Sequence, residues 1–267
     1  MEELVSGQSL LEGPTVDGDG GVFFSDVIKG GVYRWSPNGV EQIVPKRRGV
    51  GGIVVHEDGG VIVTGRDVLH VQGEESRQLL ELDGVAGFND LATAPDGSVY
   101  VGALRFHPFA GDSPAPGEIW RIAADGAVKP APAAGGVLWA NGIGFSPDGR
   151  TAYGSDYARS CVLAWDVAAD GGLTGSRVFA ELSAGSADGL AVDVDGGVWV
   201  AGGDSAKLVR FAEDGALERT IDVPTSFVSS LCFGGADMSE VFVTTGDGKL
   251  LRDRSDVAGL PLTPARV

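Results

Sequence analysis

Hydrophobic and polar residues alternate along this chain in short runs, and helical spacing of apolar positions is nearly absent. The runs are rich in Val, Phe, Tyr and Trp, as in VFFSD, VIVTG, VYVGA, TAYGSD, VWVAG and VFVTT, and each is bounded by Asp, Gly, Pro or Asn. A β-turn signal precedes each run, at Asp19-Gly20, Asp58-Gly59, Asp96-Gly97, Asp148-Gly149 and Asp195-Gly196, with a degenerate copy at Ala236-Asp237. A further strand follows most of them, as in VYRWS, VLHVQ, EIWRIA, VLAWDV and LVRFA. The interval between turns, about 38 to 52 residues, is that of four-stranded propeller blades. Six units with matched internal order predict an all-β, six-bladed β-propeller of four-stranded blades. Residues 1–267 are expected to form one such domain.

The turns also serve as a ruler. Seven residues before each stand Glu12, Gly51, Asn89, Asn141, Asp188 and Ser230. These are equivalent places at the start of each innermost strand, where a propeller rings its central channel at one face. Four of the six carry side-chain carboxylates or amides. Two carboxylates and two amide oxygens, with no His or Cys, form a hard-oxygen set suited to Ca²⁺, Mg²⁺ or Mn²⁺. Unpaired, Glu12 and Asp188 would repel one another. Gly51 and Ser230 are expected to leave one side of the ring open. Asp90 also stands out, because the equivalent position is Gly in four other blades and Leu in the last. The long loop from Leu104 to Glu118 is the expected lid, carrying Arg105, Phe106, His107 and Phe109 over the mouth.

Composition narrows the function. The 267 residues carry a formal net charge of −17, and no basic stripe exists to neutralise phosphates, which argues against nucleic acid. The run Lys46-Arg47-Arg48 is expected to be a solvated loop. No apolar run reaches membrane-spanning length, and the N-terminal residues lack the features of a signal peptide. Cys161 and Cys232 each lie in an apolar alternating run, as buried reduced thiols would. A soluble, cytoplasmic protein is the expectation. Nucleophile elbows, P-loops and dinucleotide fingerprints are missing.

The stretches LLEGPTVD, GFNDLATAPDG, ANGIGFSPDGRTAYGSD and ADGLAVDVDGGVWVA together resemble the senescence-marker-protein/gluconolactonase/luciferin-regenerating family, over nearly the whole chain. The resemblance implies a propeller with one divalent metal in its channel, Ca²⁺ first with Zn²⁺, Mn²⁺ or Mg²⁺ as alternatives, and hydrolysis of a lactone or related ester. It makes Glu12, Asn141 and Asp188 metal ligands and Asn89 a fourth ligand or a substrate contact. An arginine that many members place two residues before the Asn-Asp pair is Gly87 here, which weakens the case for a sugar lactone. Trp139 and the long lid point to a more apolar or aromatic substrate, and the acidic chain to an uncharged one. Asp188 is the first candidate for the base and Asp90 the second, with Asn89, Arg105, His107 and Trp139 on the substrate. Phosphotriester hydrolysis, a non-hydrolytic biosynthetic reaction, and a metal-stabilised binding protein are the alternative readings.

Overall fold

A computed structural model of the chain describes residues 1–130 and 136–267. Its strands form six four-stranded sheets in which every pairing is antiparallel. Each sheet is one blade, and the blades follow one another along the chain. Their innermost strands are Leu11–Val16, Ile53–Val55, Gly87–Thr93, Ala140–Phe145, Leu190–Val192 and Val228–Gly234. Neighbouring inner strands contact each other from blade to blade, and the first also contacts the last, which closes the ring.

Burial along each blade explains the sequence pattern. Second strands are covered on both faces by the adjacent blades, so Val99–Leu104 is buried throughout. Fourth strands lie on the rim, and Glu75–Leu80 is exposed for four of its six residues. Large side chains fill the gaps between blades. Tyr100 and Ile119 of the third blade pack with Phe145 and Trp165 of the fourth, and Trp199 of the fifth with Phe233 of the sixth. Each such fully buried side chain contributes about 1.5–3 kcal/mol through removal of apolar surface from water.

One element escaped the sequence reading. The N-terminal segment Glu2–Val5 is the fourth strand of the last blade, paired with Leu250–Arg254. Glu2 lies opposite Arg252 in the register and accepts its guanidinium at 2.7 Å. The two ends of the chain thus share one sheet, so opening the ring requires breaking a strand pairing.

Cys161 and Cys232 are buried and free, as expected. Among the described residues no helix is long and apolar enough to cross a membrane.

Candidate active site

Four of the six ring positions, Glu12, Asn89, Asn141 and Ser230, sit at β-bulges. Between Glu12 and Thr15, Phe88 and Leu91, Ala140 and Ile143, and Val228 and Ser230, the inner strand carries one more residue than its partner. A regular strand would send residues 89 and 90 to opposite faces of the blade, against its neighbours. The extra residue re-aims them along the channel instead. Glu12, Asn89 and Asn141, together with Asp188 just ahead of its unbulged inner strand, line a single cavity of about 960 Å³ at the end of the channel where the inner strands begin.

Two glycines make this spacing feasible. A Cβ on Gly51 would run into Oδ1 of Asn89, so the glycine leaves room for that ring oxygen beside the cavity it lines. A Cβ on Gly52 would lie 2.6 Å from both Asp90 Oδ1 and Leu91 N. Ser230, 4% exposed, lines a second cavity of about 330 Å³ that follows the inner strands away from the ring. Of the two positions expected to form an open side, Gly51 lines the larger cavity and Ser230 lines the second.

The four ring side chains are held differently. Asn89 Nδ2 donates to Ala140 O at 2.9 Å, which assigns Oδ1 as the free end of the amide. Asn141 is 7% exposed, and its amide sits against Asp188 and favours that residue's charged form. Asp188 is 2% exposed, and its Oδ1 is buried without any hydrogen-bond donor. Burial, and then the charge of Asp90, pushes the Asp188 carboxyl well above the ordinary carboxylate range. Glu12 is pushed in the same direction by burial, then by the charges of Asp188 and Asp90.

A divalent cation suits this arrangement. Two carboxylates that disfavour each other's ionisation, an orphaned carboxylate oxygen and two oriented amides are what an oxygen-ligated cation would satisfy. Among the described residues no three His, Cys, Asp or Glu side chains converge as a metal-holding group, here or elsewhere, so a cation at the ring would have to draw on the two amides as well as the two carboxylates.

The walls are aromatic. The Trp139 ring lies 5.2 Å from that of Phe106, edge-on, and 4.5 Å from that of Tyr157. Asp156, wholly buried at the end of the second strand of the fourth blade, holds this corner. Its carboxylate accepts from Leu138 N at 2.9 Å, from Trp139 N at 3.3 Å and from Arg159 Nη1 at 3.0 Å. The expected lid supplies Phe106, His107 and Phe109 to the cavity, with a single 3₁₀ turn at Pro108–Ala110. Phe109 is 72% exposed.

Two sequence candidates lie elsewhere. Arg105 does not line the cavity, because Glu118 across the lid holds its guanidinium at 3.0 Å and Asp83 O accepts from its Nη1. Asp90 lines the second cavity, on the other side of the ring from Trp139 and His107. Burial raises its carboxyl to about 7, partly offset by the Leu91 N–H donated to Oδ1 at 2.7 Å.

Among the lining residues that were not foreseen are Arg48, Arg66 and Tyr157. The ruler could have found two of them. Arg66 and Tyr157 stand fifteen and sixteen residues after their ring positions, as Val27 and Ile28 do after Glu12, and all four line the cavity.

A ring of oxygen donors beneath an aromatic cavity, at one end of a six-bladed propeller, is the candidate site in the channel of this fold. The chain belongs to the SMP-30/gluconolactonase/LRE-like family, whose sequence profile matches residues 10–247. It is 27% identical over 234 residues to a pentonolactonase of Haloferax volcanii, covering 85% of this chain and 78% of that protein. It is 28% identical over 253 residues to a 6-deoxy-6-sulfogluconolactonase of Pseudomonas putida, covering 91% of this chain and 84% of that protein. Among solved structures, a luciferin-regenerating enzyme superposes with a TM-score of 0.90 over 100% of this chain and 99% of the other, at 19% identity, a likeness of fold.

Proposed function

We propose that the protein is a lactonase-like hydrolase, with Glu12, Asn89, Asn141 and Asp188 holding one divalent cation, Ca²⁺ in the first instance. The observation that carries this reading is the buried, donor-less Oδ1 of Asp188, beside a second carboxylate and two amides at the floor of an aromatic cavity. The names of the two lactonase relatives support the reaction class.

When bound, the cation supplies Lewis-acid polarisation of the substrate carbonyl and charge for the developing oxyanion. The chain supplies the rest. Asp188 accepts a proton from the attacking water. The new C–O bond forms as the ring C–O bond breaks, and the proton passes on to the departing alkoxide, giving a hydroxy acid. Burial raises the basicity of Asp188 above that of an ordinary carboxylate, in the direction a general base requires. With Asp90 lining the other cavity, Asp188 is the carboxylate on the substrate side suited to this step, while Glu12 contributes charge. Trp139, Phe106 and Tyr157 exclude bulk water from the reacting carbonyl and orient an apolar substrate body.

A panel of sugar lactones, alkyl lactones and aryl esters tests the proposal. Turnover of at least one lactone is expected, with a loss of roughly 10²–10⁴-fold in kcat for Asp188→Asn, the usual span for a general base. Full turnover by that variant would remove Asp188 from the reaction.

A further inference from the structure

The cavity that lactone hydrolysis would use also contains two cations of the chain's own. Among the fifteen arginines of the sequence, thirteen donate to or pair with a group in the protein. The two with no hydrogen bond or ion pair among the described residues are Arg48 and Arg66, and both line this cavity. Arg66 acts on its neighbour Asp67 only through its charge. In a chain with 37 acidic and 20 basic residues, carboxylates are abundant enough that an arginine left without one needs a reason.

Placement supplies the reason. Arg48 lies on the connection from the first blade to the second, three residues before the ring position Gly51, and its Cγ approaches the Gly30 turn of the first blade. Arg66 lies on the loop after the second strand of the second blade, Val61–Val63. Both side chains are exposed at the same side of the mouth. Arg47, between them in the fold, is fully committed to Thr64 O, Asp67 O and Asp67 Oδ1, so it holds the loop of Arg66 and leaves the cavity to its neighbour. Around the two guanidinium groups the mouth is apolar, with Ile28 47% and Phe109 72% exposed. Exposed apolar side chains that converge with unpaired guanidinium groups on one cavity recognise an amphipathic anion.

We propose that Arg48 and Arg66 are the specificity-determining residues of this site, and that its substrate is a lactone with an aryl or alkyl body and an oxyanionic group, a carboxylate, sulfonate or phosphate. This rests on the lactonase reading for the bond that is cleaved, and on the arginines alone for the charge. It replaces the uncharged substrate expected from net charge, because a charge of −17 spread over the surface is screened within about 10 Å at ordinary salt, whereas the two arginines act at contact.

Two measurements on the full-length protein in Ca²⁺-containing buffer separate the two readings. Calorimetric binding of γ-phenyl and γ-(4-carboxyphenyl) butyrolactams, which resist hydrolysis, tests the arginines without turnover. The carboxylated lactam is expected to bind more tightly, and Arg48→Gln/Arg66→Gln to weaken it roughly 10- to 100-fold while changing the neutral lactam less than about threefold, the span of one or two charge-assisted hydrogen bonds. Equal affinity of the two lactams overturns the proposal. So does anion affinity that survives the double substitution, which would put the anion on the ring's cation. Turnover of the matching lactones is the second arm. Arginine-dependent anion binding with no turnover leaves this inference standing and removes the lactonase reading, and turnover with no anion preference does the reverse.

Discussion

Asp188→Asn offers a test of the ring that does not depend on knowing the substrate. In the metal-free protein the Asp188 carboxylate is 2% exposed, has an Oδ1 without a donor, and adjoins a second acid. An unsatisfied buried polar group costs about 1–3 kcal/mol, and more when charged. The isosteric amide removes the charge and keeps the volume, so the metal-free variant is expected to be about 1–3 kcal/mol more stable than the wild type at pH 7.5. For 267 residues the unfolding entropy is about 0.6 kcal/mol per degree, so this is a rise in Tm of roughly 2–5 °C. Added Ca²⁺ closes or reverses the gap. At a hundredfold excess over its Kd it stabilises the wild type by about 2.7 kcal/mol, roughly 5 °C, and leaves the variant nearly unmoved. The pH dependence follows the same sign. Glu12 and Asp188 have folded-state pKa values above the ordinary range, so the unfolded chain releases these protons first. The stability they confer is complete below the ordinary carboxylate range and is lost as pH rises through the folded values. Differential scanning calorimetry of both proteins after chelation, from pH 5 to 8.5 and with and without Ca²⁺, measures all of this. A metal-free variant no more stable than the wild type, or an equal Ca²⁺ shift in both, would refute the reasoning.

Other perturbations read the scaffold. Gly51→Ala drives a methyl group into Asn89 Oδ1, so Ca²⁺ affinity measured by calorimetry should fall at least about tenfold, with a stability cost of about 1–3 kcal/mol from overpacking. Asp193 accepts from Gly197 N, Trp199 Nε1 and Arg210 Nε within the fifth blade, with Arg210 itself buried. Asp193→Ala therefore leaves the buried Trp199 Nε1 without its acceptor and Arg210 with Glu218 as its remaining partner, and should cost about 1–3 kcal/mol in denaturant unfolding while leaving Ca²⁺ affinity unchanged at 25 °C. Deleting residues 1–5 removes the strand that closes the last blade and bares the edge at Leu250–Arg254. Lower thermal stability and concentration-dependent association by light scattering are expected, since an unpaired edge templates further pairing.

The blades were legible because their grammar is local. An Asp-Gly turn between two alternating runs needs no tertiary information, and equal spacing turns it into a phase. That phase located Glu12, Asn89, Asn141 and Asp188, because equivalent positions in a closed ring must converge on its axis. Convergence alone did not reveal the bulges that decide which way each side chain leaves the strand. Asn89 and Asp90 are adjacent in sequence yet line different cavities, and the one-residue insertion in the ladder between Phe88 and Leu91 is what turns both away from the neighbouring blades. Arg105 read as a lid residue because its loop is long, while its partner, Glu118, lies thirteen residues on at the far end of that loop. Arg48 and Arg66 were hidden for the converse reason. Absence of a partner is visible only once every other charge has been placed. The N-terminal strand was obscure because its mate is 250 residues away, and four residues carry too little pattern to announce a pairing.

Lactone turnover before and after metal removal tests the central claim most directly. Protein stripped by chelation and dialysis should keep the circular dichroism of its sheets and lose its turnover. Stoichiometric Ca²⁺ should restore turnover in the wild type, and not in Glu12→Gln or Asp188→Asn. Undiminished turnover by the stripped protein would contradict a metal-dependent reaction at this ring.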